Sequence, residues 1–314
     1  MTHYSPIRPP LAGARMPLRF DDGRFHRWRL EQRIILDRTA EAMVCALRFT
    51  PPEADLPQWK AGAMAEITYL SPPARGRSRE RSCQGKGKWA GDLVPITLPI
   101  AGGIVVAPHV AAALLPSGFA WRAPPRPTIR LPIASIATDG ALDLILVHRP
   151  AQQSPAVATV MRHLLGSGDA DLRIADTATP RTTDPALTIA CDIDGLATLR
   201  AILRDRAVRG LPTPAIATTV DPVLLDRALG EDLPPRRVAR IRTTDAQAAC
   251  VDIAHHLAAR IDDGTPVLIA GAAAGLITPV ESLLRARFGD TAFDAMLAGG
   301  LWRRYPAEGQ AVAG

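Results

Sequence analysis

The sequence has 314 residues, of which 47% are hydrophobic, 22% charged and 4% aromatic. This length suits two domains of ordinary size, and the balance of apolar and charged residues excludes a largely disordered chain. Arginine carries nearly all of the positive charge behind the net charge of +6. Because the chain shows neither an aromatic stacking platform nor a known nucleic-acid-binding module, nucleic acid is not an expected partner.

The four cysteines lie far apart, without the paired spacing of a disulfide framework or a zinc site. Motifs of zinc proteases, serine hydrolases and P-loop proteins are missing, and no metal site is predicted. The N-terminal residues lack the apolar segment of a secretory signal. We therefore expect a protein of a reducing compartment, the cytoplasm.

Up to about residue 180 the pattern predicts strands. Short segments that alternate or are rich in β-branched residues are separated by proline and glycine: RIILD, MVCALRF, MAEITYL, VPITLPI and LDLILV. They favour an antiparallel sheet or barrel. Residues 71–91 are basic and rich in glycine and serine, and we predict a mobile insertion there, either a solvated loop or an anion-binding surface.

Residues 93–121 carry no formal charge and are numerous enough to span a bilayer. They contain four prolines and a pair of glycines, which break helices and are hard to satisfy in lipid. We expect short buried strands followed by a short helix from Pro108 to about Leu115, and no stable membrane insertion.

From Leu187 onward, predicted strands alternate with predicted helices. The strands are LTIAC, AIATTV, RVARIR and PVLIA, and helical spacing is clearest for Leu196, Leu199 and Ile202 after the first of them. Such alternation favours a parallel sheet with right-handed crossovers. The predicted domains are therefore a β domain over residues 1–180 and an α/β domain over residues 181–314.

Three stretches, in order along the chain, resemble those of diflavin reductases. WKAGAMAEI at 59–67 resembles W-x-A-G-D-x-A-E-I, and IAS with the following DGALDLILV resembles R-x-Y-S-I-A-S and D-G-x-L-x-L-x-V. VLIAG at 267–271 and LWRRY at 301–305 resemble the two closing segments. The chain thus resembles the ferredoxin–NADP reductase family, and most of all the reductase part of the sulfite reductase flavoprotein. This resemblance implies a Greek-key, FAD-binding barrel followed by a Rossmann-like, NADP-binding α/β domain.

In the family's flavin strand an arginine binds phosphate, a tyrosine stacks on the flavin ring and a serine hydrogen-bonds to it. The aligned residues, which the resemblance assigns to FAD binding, are Arg130, Leu131, Pro132 and Ser135, with the arginine displaced by one position. Because neighbouring strand residues point to opposite faces, the alternative is that Leu131 fills the barrel and Arg130 is a surface charge.

The family's second flavin element, G-x-x-S-G-W-L, begins a helix at the pyrophosphate, where helix N-termini favour anions. It aligns with Gly166, Ser167 and Gly168, which the resemblance assigns to FAD binding ahead of a shortened helix. An ordinary loop is the alternative.

For NADPH the resemblance assigns Gly195, Gly271 and Trp302 to the cofactor site. Gly195 is the one glycine that remains of the family's G-N-G-T-G, in which glycines let phosphates approach the backbone. Asp192 and Asp194 flank the place where the phosphates would lie, and their charge would repel them.

Two functions remain open, and no catalytic residue is predicted. By resemblance, the chain is an FAD-dependent NAD(P)H oxidoreductase module, a flavoprotein that passes electrons to a redox partner protein. The alternative is a non-catalytic binding protein on the same scaffold that has lost flavin and NADPH binding, since three separate cofactor elements depart from the family pattern.

Overall fold

The computed structural model of the protein describes residues 25–51, 59–68, 94–96, 104–106, 128–166, 169–175, 183–230, 238–240, 245–306 and 310–312. The chain divides into two units, Leu70–Pro125 and the remainder, Met1–Tyr69 with Arg126–Gly314. In the smaller unit the described strands β4 (Val94–Ile96) and β5 (Ile104–Val106) pair antiparallel. The larger unit contains every other described element.

Six antiparallel strands of the larger unit form a barrel. In spatial order they are β6 (Thr128–Pro132), β3 (Met64–Thr68), β8 (Asp169–Ala175), β1 (His26–Arg38), β2 (Met43–Thr50) and β7 (Leu142–His148). Ile133, directly after β6, closes the barrel by a bridge to Leu144 of β7. A further strand, β14 (Gln310–Val312), pairs with the free edge of β6.

Alternation along the strands fills this barrel with apolar side chains. Ile129, Leu131 and Ile133 are at most 3% exposed and belong to the same core as Trp28 and Phe49. The first helix, α1 (Pro155–Gly166), covers the barrel and packs Val157, Val160, Met161 and Leu164 into that core.

The second half is a parallel sheet of five strands. Their spatial order is β11 (Val238–Arg240), β10 (Ala215–Thr218), β9 (Thr188–Cys191), β12 (Val267–Gly271) and β13 (Trp302–Pro306). Its helices are α2 (Leu196–Val208), α3 (Pro222–Leu229), α4 (Ala246–Asp262), α5 (Thr278–Phe288) and α6 (Asp290–Gly299). A π-helical turn over Ala273–Ile277 links β12 to α5.

Barrel and parallel sheet share one apolar core, in which Leu36 and Ile145 of the barrel join Leu199 of α2. Ion pairs reinforce this junction. The guanidinium of Arg204 on α2 donates to both carboxylate oxygens of Asp139 in the barrel at 3.0 and 2.8 Å. The core and the ion pairs hold helix α2 against the barrel.

The predicted fold class, an antiparallel barrel followed by a Rossmann-like parallel sheet, is confirmed. The helix predicted after Gly168 is wrong: residues Asp169–Ala175 form strand β8, whose apolar residues Leu172 and Ile174 alternate into the barrel core. The insertion 71–91, the helix expected from Pro108 and the predicted domain boundary at residue 180 lie outside the described residues, and that boundary stays a prediction. Helix α4 is the longest described helix at 17 residues, and none in the described part of the chain combines the length and apolarity that crossing a bilayer requires.

Candidate functional site

A cavity of about 890 Å³ lies between the barrel and the parallel sheet. It opens at the carboxyl ends of β9, β10 and β12, where Asp192, Thr219 and Ala272 follow the strands. The chain passes from β9 to β10 on one side, and β12 later pairs on the other side of β9. The position beside β9 where the strand order changes direction is called the switch point of the sheet. Open α/β sheets bind ligands at the switch point, so this cavity is the candidate site.

The barrel wall of the cavity is apolar at its base and polar at its rim. Leu131 and Pro132 of β6 and Ile145 and Val147 of β7 form the base. The rim follows β7 directly and consists of Arg149, Gln152, Gln153 and Ser154. None of the described residues that line the cavity is aromatic.

The rim is shaped by the start of helix α1. The Ser154 hydroxyl accepts a hydrogen bond from the Val157 amide at 3.3 Å, and Pro155 occupies the first helical position, where its missing N–H costs nothing. The Gln153 side chain is engaged in hydrogen bonds with the end of β7, because its amide nitrogen donates to the Val147 carbonyl at 3.0 Å and its amide oxygen lies 2.8 Å from His148 Nδ1. A serine–proline pair after a predicted strand is a helix-start signal that could have located this rim from the sequence.

The opposite wall is dominated by the carboxylate of Asp192. One oxygen accepts from the amides of Asp194 and Gly195 at 2.9 and 3.1 Å, and the other accepts from the Ala272 amide at 3.0 Å. Burial, and after it the charge of the neighbouring Asp194, raise the pKa of Asp192 to about 6 in spite of the lowering effect of the three amides. The carboxylate therefore already uses the amides at the start of α2 and at the end of β12.

An ion pair crosses the cavity from one wall to the other. The Arg149 guanidinium donates to both carboxylate oxygens of Asp194, at 2.8 and 3.0 Å, and the two side chains are 25% and 11% exposed. Paired, planar hydrogen bonds of this kind are the strong form of an arginine–carboxylate contact. Among the described rim residues, Arg149 carries the positive charge that could bind an anionic ligand.

Two of the predicted glycines border the cavity as packing residues. A Cβ on Gly195 would overlap the carbonyl oxygen of Ala270 and lie 2.7 Å from its carbon, so α2 approaches β12 closely only with glycine there. A Cβ on Gly271 would lie 2.6 Å from Asp192 Cγ. Neither glycine lines the cavity itself, in the part of the chain that the structure describes.

Of the predicted flavin-strand residues, Leu131 and Pro132 line the cavity. Arg130 is not among the lining residues; its guanidinium pairs with Glu66 of the neighbouring strand β3 at 2.6 Å. Ser135 is fully buried, and its hydroxyl donates to the Ala141 carbonyl and accepts from the Asp143 amide. It holds the turn between β6 and β7.

Gly166 and Trp302 lie away from the cavity. Gly166 is the last residue of α1, whereas the cavity meets the first turns of that helix at Ser154, Val157 and Met161. Ser167 and Gly168 lie outside the described residues. Trp302 begins β13, at the opposite end of the sheet from the cavity, where its indole donates to Glu281 at 2.9 Å and its ring packs on Phe293.

No protein-family model and no curated protein matches the sequence. Solved structures match its fold. A mutant ferredoxin–NADP+ reductase from Plasmodium falciparum is 10% identical with a TM-score of 0.52, over 90% of this chain and 96% of that chain. The same reductase with 2′P-AMP is 10% identical with a TM-score of 0.51, over 85% and 96%.

Phthalate dioxygenase reductase is 10% identical with a TM-score of 0.50, over 89% of this chain and 67% of that chain. That protein is described as a modular structure for electron transfer from pyridine nucleotides to a 2Fe–2S centre. These similarities concern the arrangement of strands and helices, because the identities are low. The chain has the fold of the ferredoxin–NADP+ reductases.

Proposed function

We propose that this chain is an FAD-dependent oxidoreductase module that passes electrons to a partner redox protein. The observation that carries the proposal is the cavity of about 890 Å³ between barrel and parallel sheet, with an apolar base and an arginine-bearing rim on its barrel wall. FAD, when bound, would supply the hydride and electron transfer that side chains cannot perform. The electron-transfer role of phthalate dioxygenase reductase, which shares this fold, supports the same kind of activity.

The barrel wall offers what a flavin dinucleotide needs on one side. Leu131 and Pro132 would pack against the apolar ring system, and Arg149 and Gln152 would meet the pyrophosphate near the start of α1. Arg149 must leave Asp194 to do so, which would lower the affinity for FAD. We therefore expect weaker flavin binding than a preformed, unpaired arginine would provide.

The test is a titration of the purified chain with FAD, followed by calorimetry, the visible flavin spectrum and the melting temperature. The proposal expects saturable one-to-one binding and a melting temperature that rises with FAD concentration, because a ligand of the folded state stabilises it. Colourless protein whose melting temperature FAD does not change would contradict it.

Two arginine variants identify the group that meets the pyrophosphate. Arg149→Ala should weaken FAD binding by about tenfold, the effect of losing one charge-assisted contact. Arg130→Ala should leave FAD binding unchanged, since Arg130 does not line the cavity and pairs with Glu66. Arg209→Ala, which removes an exposed charge paired with Asp205 on α2, controls for the change in net charge.

A second candidate is a non-catalytic binding protein on the same scaffold. Two observations favour it: no described lining residue is aromatic, so a flavin ring has no stacking partner among them, and Asp194 already neutralises Arg149. Failure of FAD to bind the wild-type chain, together with failure to bind an Asp194→Asn variant that removes the negative charge beside Arg149, would favour this candidate.

A further inference from the structure

The amides at the switch point are already bonded within the chain. In this fold the turn after the first parallel strand, at the N-terminus of the following helix, is where backbone N–H groups meet a dinucleotide phosphate. Here the amides of Asp194 and Gly195 donate to one oxygen of the Asp192 carboxylate. An incoming phosphate would find these two donors taken.

The same carboxylate also satisfies the neighbouring strand end. Its second oxygen accepts from the Ala272 amide at 3.0 Å, although Ala272 is 80 residues further along the chain. The carboxylate sits against Gly271, which has no side chain, and a Cβ there would overlap it. Asp192 is thus held by both elements that border the switch point, namely by the start of α2 and by the end of β12.

The local charge also opposes a second anion. Burial raises the pKa of the Asp192 carboxyl to about 6, with a further contribution to that rise from the charge of Asp194, which Arg149 balances in part. A position that disfavours the charge of its own carboxylate disfavours a phosphate group still more.

We propose that Asp192 is an internal substitute for a nucleotide phosphate, and that it closes this half of the cavity to NAD(P)H. The residues present therefore do not fit the pyridine dinucleotide that the fold implies. The proposal concerns the α/β wall alone and does not depend on whether the barrel wall binds FAD.

The experiment measures NADP+ and NADPH binding to the full chain without flavin, by calorimetry and by amide NMR shifts. The wild-type chain should show no saturable binding. Asp192→Gly removes the charge and the hydrogen bonds of the carboxylate to the three amides, and it should bind NADP+ saturably, at least about tenfold more tightly than the upper limit that the wild type sets. Asp192→Asn, which removes the charge but still fills the position, should gain less. Asp262→Asn removes an exposed charge at the end of α4 and should gain nothing.

Saturable binding of NADP+ to the wild-type chain, with shifts of the Gly195 and Ala272 amides, would overturn the proposal, and this arm needs no variant. Absence of any gain in a folded Asp192→Gly chain would overturn it as well. If that variant fails to fold, Asp192→Ala is measured in its place, and a lack of gain in the folded Asp192→Ala chain has the same meaning. Because FAD is absent, these outcomes are separate from those of the flavin titration.

Discussion

Arg149, the residue after barrel strand β7, makes two hydrogen bonds of 2.8 and 3.0 Å to the carboxylate of Asp194, which lies just before α2. The pair joins the two walls of the candidate site directly. A ligand with an anionic group can enter the rim only if it competes with Asp194 for Arg149, or if the pair opens. The Asp194 carboxylate therefore already takes the place beside Arg149 that the anionic group of a ligand would need.

A double-mutant cycle on Arg149 and Asp194 should show this coupling in the free energy of unfolding. Because the pair is bidentate and only 25% and 11% exposed, we expect a coupling energy of about 1 kcal/mol, at the upper end for partly exposed pairs. The single and double alanine variants are compared by urea unfolding. The exposed Arg287–Asp262 pair is the matched control and should couple near zero. Strictly additive effects at Arg149 and Asp194 would contradict the expectation.

The barrel contains a buried carboxylate shared by two arginines. Glu66 is 1% exposed, and its two oxygens bond to Arg130 and Arg173 on the strands to either side. Arg130→Ala or Arg173→Ala alone should cost about 1 kcal/mol of unfolding free energy, because the other arginine still neutralises Glu66. The double variant should cost more than the sum, by about 2 kcal/mol, because it leaves a buried charge unpaired. Chemical unfolding of the four chains measures this, and additivity would count against a shared pair.

The flavin strand shows what the sequence could and could not predict. The resemblance to the family's flavin strand places β6 correctly, and the alternation of β-strands identifies two faces. Whether the Arg130 guanidinium is paired within the protein depends on Glu66, which comes from β3 and is 64 residues away in sequence. No local pattern predicts that partner, so the sequence left a flavin phosphate and a surface charge as equal alternatives.

The carboxyl ends of β9 and β12 also show where prediction from the sequence stops, for a different reason. Asp192 and Asp194 are visible in the sequence as charges beside Gly195, and their repulsion of phosphate is predictable. That Asp192 accepts the Ala272 amide depends on β12 pairing next to β9, which only the folded sheet establishes. The position of Trp302 at the start of β13 is likewise established only by the fold, because a match in a closing motif does not say at which end of the strand the residue lies.

Gly195→Ala tests whether that glycine serves packing. The added Cβ would overlap the Ala270 carbonyl, so we expect a loss of about 2 kcal/mol in unfolding free energy, typical of overpacking in a close contact. Gly299→Ala is the control: a Cβ there meets nothing within 4 Å, and alanine at this helical position in α6 should be neutral or slightly stabilising. Equal effects of the two substitutions would show that the contact with β12 is unimportant.

The pH dependence of stability offers a test of Asp192 that needs no ligand. In the folded chain burial raises the pKa of this carboxyl from 3.8 to about 6, whereas in the unfolded chain it titrates near its ordinary value. Between about pH 4 and pH 6 the folded state therefore binds more protons than the unfolded state, so the contribution of Asp192 to stability falls as the pH rises through this window. Below the window the contribution is fully present, and above it the loss is complete. The difference in unfolding free energy between the wild type and Asp192→Asn, measured by urea unfolding from about pH 3 to pH 8, should decline over those two units and then level off. A difference that stays constant would mean that the carboxyl titrates alike in the folded and unfolded chain. A difference that grows with pH would mean that the three amides favour the carboxylate more strongly than burial opposes it.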